Sequence, residues 1–361
     1  MAMYVYFLIF AGFAFVDFAE TVVPKGRMLW VVAVLGLAGV SGCFLAARKF
    51  DPAQGRLHLA RGFGGCLLAA LITLLARYEV VVFFSAALVG LSTAWTAVAL
   101  SLCLRPTLHF NRLGVWCGLG TGLAYALCNQ PFIFEASVNG KIITGIVAAA
   151  IGVLAAFRMR ALPVRPSSLP DYEPQGATGW IVALFALVFL DTLVFFIIQN
   201  SITLKQLSWE TPLILQGNAF VHLCAAYITG LVLDQRWPGL SALVALLLLI
   251  ASCIVLGLHI EHFPKARMLY IAAVSIYSTI MVYLPARGGR PQFAAVLYAV
   301  SGWIGSGLAL SIALAVDARR VPPYAIGIAM IVGLAGLFTR LLWLKRTQET
   351  ESERLAMRRP A

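Results

Sequence analysis

Charge is what this sequence has least of: Asp, Glu, Lys and Arg make up 12% of its 361 residues, about half the ~25% of soluble domains. Acids are the rarer sign, 15 against 27 Lys plus Arg, in a chain that is 61% hydrophobic with a mean hydropathy of +0.90. That composition excludes a soluble globular domain and a disordered chain alike. Patterns that carry chemistry are missing too. No Walker A sequence is present, which argues against ATP-driven transport, and no HExxH or GxSxG, which argues against a lipid-acting membrane enzyme. Seven cysteines lie in apolar runs with no CxxC pair, so they read as small packing hydrophobes and not as a zinc or redox site. Met1-Ala2-Met3 enters an apolar run without a basic n-region, so the first span is expected to be retained.

What is present is a succession of apolar runs, each of the ~20 residues that cross a ~30 Å hydrocarbon core. In lipid every backbone polar group needs an internal partner, which favours a helical bundle. Spans are predicted at 4–24, 28–47, 60–77, 80–104, 113–134, 142–161, 179–204, 211–233, 239–259, 268–286, 293–316 and 322–344. The predicted fold is an all-α polytopic membrane protein with about twelve transmembrane helices in two pseudo-symmetric six-helix halves, 1–161 and 179–344. A Pro-, Ser- and Gly-containing cytoplasmic linker, 162–178, joins the halves, and a charged cytoplasmic tail, 345–361, follows, with 347–361 expected to be unstructured. Seventeen Lys and Arg fall on the side of both termini and nine on the other. This bias places both termini in the cytoplasm, and it reads the net charge of +12 as orientation and not as nucleic-acid binding. The expected location is the plasma membrane, a bacterial inner membrane.

Two internal matches support duplication. Ala14-Phe15-Val16-Asp17 resembles Val188-Phe189-Leu190-Asp191, and Gly120-Thr121-Gly122-Leu123-Ala124 resembles Gly305-Ser306-Gly307-Leu308-Ala309. Secondary transporters are commonly built from such repeats. Twelve spans, a long central loop, two similar halves and inside termini together resemble the major facilitator superfamily. The segment Gly230-Leu231-Val232-Leu233-Asp234-Gln235-Arg236 resembles the family's loop signature G-x-x-x-D-x-x-G-R-R, departing from it at Trp237-Pro238-Gly239. In the first half, Gly42-Cys43-Phe44-Leu45-Ala46 carries Ala46 where that Asp is expected, with Arg48, Lys49 and a displaced Asp51 nearby. The resemblance implies that Asp234 caps a neighbouring helix end and that Asp234 and Arg236 act in gating. At 361 residues the chain is a short, divergent match.

Ionisable groups inside a membrane are costly and mark functional sites. Asp17, Glu20 and Thr21 share a face of the first span; Asp17 reads as a coupling or cation-binding group, while Glu20 fits a solvated headgroup position equally well. Asp191 lies mid-span with Phe195 and Gln199 continuing its face, either in a transport site or in a structural bond to Asn218 or Thr192. Asn218 and His222 share a face of the eighth span with Gln216 on a nearby edge, and His222 suits proton coupling or simple packing. Thr93, Asn129, Gln130 and Trp303 are candidate cavity-lining residues. The glycines of the fifth and eleventh spans, Gly118, Gly120, Gly122, Gly302, Gly305 and Gly307, allow close packing or rocking. His259-Ile260-Glu261-His262 has weak metal spacing and reads as a solvated loop, and His58 and His109 as loop residues.

No buried Lys or Arg is evident near mid-membrane, which points to a small polar or cationic solute. The function expected is proton-coupled secondary transport by alternating access, with a solute and the lipid bilayer as partners. No enzyme activity, cofactor, metal or nucleic acid is expected, and the oligomeric state is open. The alternative is a membrane redox or cofactor-binding subunit without transport; bis-histidine haem ligation needs two facing membrane histidines, and only His222 qualifies.

Overall fold

The computed structural model describes residues 1–108, 110–159, 176–258, 263–315 and 321–357, with backbone alone for 110, 257–258, 263–264, 314–315 and 346–357. Among these residues there is no strand. The helices are α1 (Ala2–Val22), α2 (Met28–Lys49), α3 (Gly55–Leu75), α4 (Glu79–Thr107), α5 (Leu113–Cys128) and α6 (Val138–Arg158). They continue with α7 (Ala177–Asn200), α8 (Pro212–Asp234), α9 (Pro238–Leu258), α10 (Phe263–Gly288), α11 (Pro291–Leu297, Tyr298–Ile304 and Gly305–Ala315) and α12 (Pro323–Met357). Eleven are long and apolar enough to span a membrane, and α5 is shorter, followed by the single turn Pro131–Phe134. The protein is therefore an all-α polytopic membrane protein.

Local chemistry sets the boundaries. Thr211 and Ser137 cap α8 and α6 by accepting from the amides of Ile214 and Gly140, and Pro212 and Pro291 occupy first-turn positions where no amide donor is needed. The seventh span ends at Asn200, and a separate short helix, Ile202–Trp209, follows where the sequence suggested continuation to 204. The last helix runs on to Met357, which corrects the expected unstructured tail. No Gly or Pro interrupts 337–357, and this stretch is rich in good helix formers. Residues 162–175 of the linker, His109, His259–His262 and 358–361 lie outside the described residues.

Two large apolar cores hold the bundle. One draws on α1, α3, α4 and α6, the other on α7, α9 and α10 together with Leu113, Cys117 and Tyr125 of α5. Large side chains such as Leu37, Leu154 and Ile331 are 65–70% exposed and form the lipid-facing belt. The most buried span is α10, which packs against α4 and α5 of the first half as well as α8 and α9.

Candidate functional site

Asp191 sits in the middle of α7, and two phenols hold it. Tyr270 donates to Oδ1 at 2.6 Å and Tyr277 donates to Oδ2. These tyrosines are seven residues apart on α10, two turns along one face, so a single helix delivers both donors to one carboxylate. No Lys or Arg pairs with Asp191 among the described residues. Beside it, Thr192 donates to Ser306 of α11 at 3.1 Å.

The same stretch of α10 reaches the other helices. His222 of α8 meets the Ser275 hydroxyl through Nδ1 at 2.7 Å, and its ring stacks on Tyr125 of α5 with centroids 4.4 Å apart and planes 8° apart. The Tyr125 hydroxyl lies 3.0 Å from the Ser278 hydroxyl, and Tyr4 of α1 donates to the Ser278 carbonyl at 2.9 Å. A connected set of polar side chains therefore crosses the boundary between the two halves. In a low-dielectric interior such networks are strong when fully satisfied, and fixed geometry is part of their effect.

At one end of the bundle this cluster lies beneath a cleft of about 490 Å³, whose walls include Asp17, Lys141, Gln199, Lys205 and Glu210. The cleft floor is aromatic: Phe13 meets Phe195 at 5.4 Å and Phe134 at 6.0 Å, and Trp209 meets Phe134 at 5.7 Å and Phe195 at 5.9 Å. The Lys141 ammonium lies 5.5 Å from the Phe13 ring centroid and 5.9 Å from that of Phe134. Along α7 the order is Gln199 at the cleft, Phe195 in the aromatic floor one turn below, and Asp191 one turn below that. At 1.5 Å rise per residue, Asp191 lies about 12 Å beneath Gln199.

The opposite end is tightly packed. The Asp234 carboxylate accepts from the amides of Gly114 at 2.6 Å and Val115 at 3.0 Å, capping the N-terminus of α5 from the end of α8. Charge and dipole both favour this placement. Gly114, Gly118 and Gly122 follow on the same face. A Cβ added at Gly118 would land on the Ala226 carbonyl, and one at Gly114 on the Gly230 carbonyl; the missing side chains let the two backbones touch. Arg236 closes α8 in the left-handed region at φ +69°. Its amide reaches the Leu233 carbonyl at 3.0 Å and the Trp237 amide reaches Val232 at 3.3 Å, the Schellman pattern in which Gly is usual. Between α2 and α11, Trp303 covers Gly39, and the Cys43, Ala46 and Ala47 side meets Ala294, Ala295 and Ala299.

Several residues read from the sequence fall elsewhere. Asp17 and Glu20 are exposed, Asp17 on the cleft wall, so Asp17 and Asp191 are not equivalent in depth of burial. Gln216 is exposed. Asn129 and Gln130 donate to the carbonyls of Tyr125 and Ala126 at 2.9 Å each, closing their own helix. Thr93 is buried with its hydroxyl unpartnered. Asn218 donates to the Ser208 carbonyl at 3.0 Å and leaves Oδ1 without a partner, so it is not the residue that binds Asp191. Of the eleventh-span glycines, Gly307 faces open space and Gly302 and Gly305 make ordinary contacts, so the close approach belongs to α5. The buried arginines lie at the two ends of α10 and not at mid-membrane: Arg267, in its first turns, donates to the Leu207 carbonyl at 2.8 Å, and Arg287, in its last turn, donates to the Tyr283 hydroxyl. The residues not singled out from the sequence include Tyr4, Tyr125, Tyr270, Ser275, Tyr277 and Ser278. Tyr270 and Tyr277 are seven residues apart, two turns of one helix face, but nothing in an apolar span distinguishes them from packing aromatics.

No family model and no curated protein matches the sequence. Solved structures do. The human organic anion transporter MFSD10 (TETRAN) superposes with a TM-score of 0.65 at 13% identity, covering 94% of this chain and 95% of that one. FucP, a major facilitator superfamily transporter in its outward conformation, gives 0.64 at 12% identity, covering 95% and 97%. A variant of the E. coli fucose:proton symporter FucP gives 0.58 at 13% identity over the same shares. The chain has the major facilitator superfamily fold.

Proposed function

We propose that this protein is a secondary transporter that moves a small polar or cationic solute by alternating access, coupled to protons through Asp191. The observation that carries the reading is the Asp191 carboxylate, held mid-span by Tyr270 and Tyr277 with no cationic partner among the described residues. An uncompensated carboxylate at that depth is costly unless it is neutralised by a proton or by a bound cation. Exchange of one for the other is a coupling step. Tyr270 and Tyr277 hold the group in place, while Ser275, His222 and Tyr125 extend the polar surface toward the first half.

Residues 1–161 and 179–344 would act as the two moving bodies, hinged about the cluster. With both termini cytoplasmic, the Asp234 end is the cytoplasmic one and the 490 Å³ cleft faces outward. A solute enters past Asp17 and Gln199, and the aromatic floor of Phe13, Phe195 and Trp209 parts to admit it to Asp191. Opening of the other end then requires release of the Asp234 cap and separation of α5 from α8. Asp234 is the gating residue in this reading; Arg236 shapes the helix end beside it. The plasma membrane is the expected setting.

The test is uptake into proteoliposomes under an imposed proton gradient, with cations, sugars and amino acids as candidate solutes. The reading expects at least one solute to be accumulated in wild type, and Asp191→Asn to lose accumulation while keeping solute exchange at equal pH. Full gradient-driven accumulation by the Asn variant would overturn the role given to Asp191.

A further inference from the structure

A second cleft, away from the proposed path, lies where α2 turns into α3. Its volume is about 340 Å³, and its lining includes Lys49, Gln54, His58, Arg61 and Trp95. The informative residue is His58, 4% exposed in the first turns of α3. The Asp51 amide donates to its Nε2 at 3.1 Å. A nitrogen that accepts a hydrogen bond carries no proton, so the neutral ring has its proton on Nδ1. That Nδ1 is buried and has no partner. The ring cannot easily turn away, because it is set between Phe50 at 5.3 Å and Trp95 at 5.8 Å, and Trp95 Nε1 donates to the His58 carbonyl at 3.1 Å.

A buried N–H without an acceptor costs about 1–3 kcal/mol, and the residue that carries it lines a cleft whose charged groups are two cations, Lys49 and Arg61, and one carboxylate, Asp51. Lys49 and Arg61 are exposed and have no carboxylate partner among the described residues. The one acid in the lining, Asp51, already accepts from the Ala53 amide at 2.9 Å. The cleft therefore offers donors and a net positive charge, two cations against one carboxylate. Its position adds a further constraint. Leu45, 40% exposed, forms part of the wall, and Phe44 and Leu37 on the same helix are 48% and 70% exposed, as lipid-facing side chains are.

We infer that this cleft binds a phosphate-type oxyanion at the membrane surface, presented by an anionic lipid headgroup or by a free phosphate. His58 supplies a fixed neutral donor at the base, and Lys49 and Arg61 supply charge at the rim. Neither the fold nor the proposed transport path requires this site.

The test uses the full chain purified in detergent, with phosphatidylglycerol, phosphatidylcholine and inorganic phosphate as separate probes. Lipid retention is read by native mass spectrometry, and the thermal midpoint is followed against the concentration of each probe. Saturable binding of phosphatidylglycerol over phosphatidylcholine is expected if the ligand is a lipid, and saturable stabilisation by inorganic phosphate if it is a free anion. In either case Lys49→Gln/Arg61→Gln weakens binding roughly thirtyfold, as the loss of two basic groups at a membrane surface implies. His58→Phe weakens it further, whereas Lys25→Gln/Arg77→Gln, on the other side of the membrane, changes it less than twofold. Because Lys49 and Arg61 are exposed, their double variant is expected to fold even if His58→Phe does not. Absence of saturable binding by every probe, or equal losses in the two charge-removing pairs, overturns the assignment.

Discussion

Replacing Asp234 should open the end of the bundle that this residue closes, and the size of the effect follows from its two bonds. The carboxylate accepts from the Gly114 and Val115 amides at 2.6 and 3.0 Å. Hydrogen bonds to charged groups contribute about 1.5–3 kcal/mol each, so losing both at the low end of that range removes about 3 kcal/mol from the closed arrangement. Since about 1.4 kcal/mol is a factor of ten, Asp234→Ala should raise the open-to-closed ratio at this end roughly a hundredfold. Asp234→Asn keeps one neutral acceptor worth about 1 kcal/mol and should raise it by a smaller factor. Cys117 is a built-in reporter: it lies on α5 in the core shared with the second half and is 5% exposed. When opening and closing are fast, its alkylation rate follows the open population. Peptide mapping after maleimide pulses should therefore show Cys117 labelling rise in the order wild type, Asn, Ala. Identical Cys117 rates in all three proteins, each shown to be folded by size-exclusion chromatography, would refute the latch.

Arg236 pays for its left-handed backbone, so Arg236→Gly should stabilise the protein by about 1 kcal/mol, measured by denaturation in detergent; destabilisation would show that its side chain carries an unseen contact. Gly118→Val should destabilise strongly and expose Cys117, because its Cβ meets the Ala226 carbonyl, whereas Gly307→Ala should stay within about 0.5 kcal/mol. Tyr270→Phe and Tyr277→Phe should each slow uptake about tenfold, since each removes a bond to a charged group worth about 1.5 kcal/mol at least; wild-type rates in both would detach the tyrosines from the site. Asp17→Asn should raise KM more than it lowers kcat if the cleft whose wall holds Asp17 is the solute's entrance, as proposed; the reverse pattern would place Asp17 deeper in the path.

The helical spans were legible because apolar length is imposed by the bilayer, and Asp191 because an acid in the middle of such a run is rare. The partners of Asp191 were not. Tyr270 and Tyr277 look like ordinary aromatic residues of a span until α10 is placed against α7, and only tertiary packing fixes that. The match between Asp17 and Asp191 was real as sequence but not as environment: Asp17 lies exposed beside Lys141 in the cleft lining, while two phenols cover Asp191. Gln216 does not share the buried face of Asn218. It lies two residues from Asn218, roughly 200° away around the helix, and that face is exposed. The π-helical stretches Tyr6–Ala14 and Tyr298–Ile304 had no signal in the hydrophobic pattern, because an extra residue per turn is not visible in a run that is apolar throughout.

In the proposed mechanism Asp191 exchanges a proton against a solute. This exchange is tested most directly by recording internal pH in proteoliposomes as a transported solute is added, with wild type and Asp191→Asn side by side. Wild type should show a solute-evoked pH change in fixed ratio to solute taken up, and the variant none although solute still equilibrates. A variant that moves protons with the solute in the wild-type ratio would contradict it.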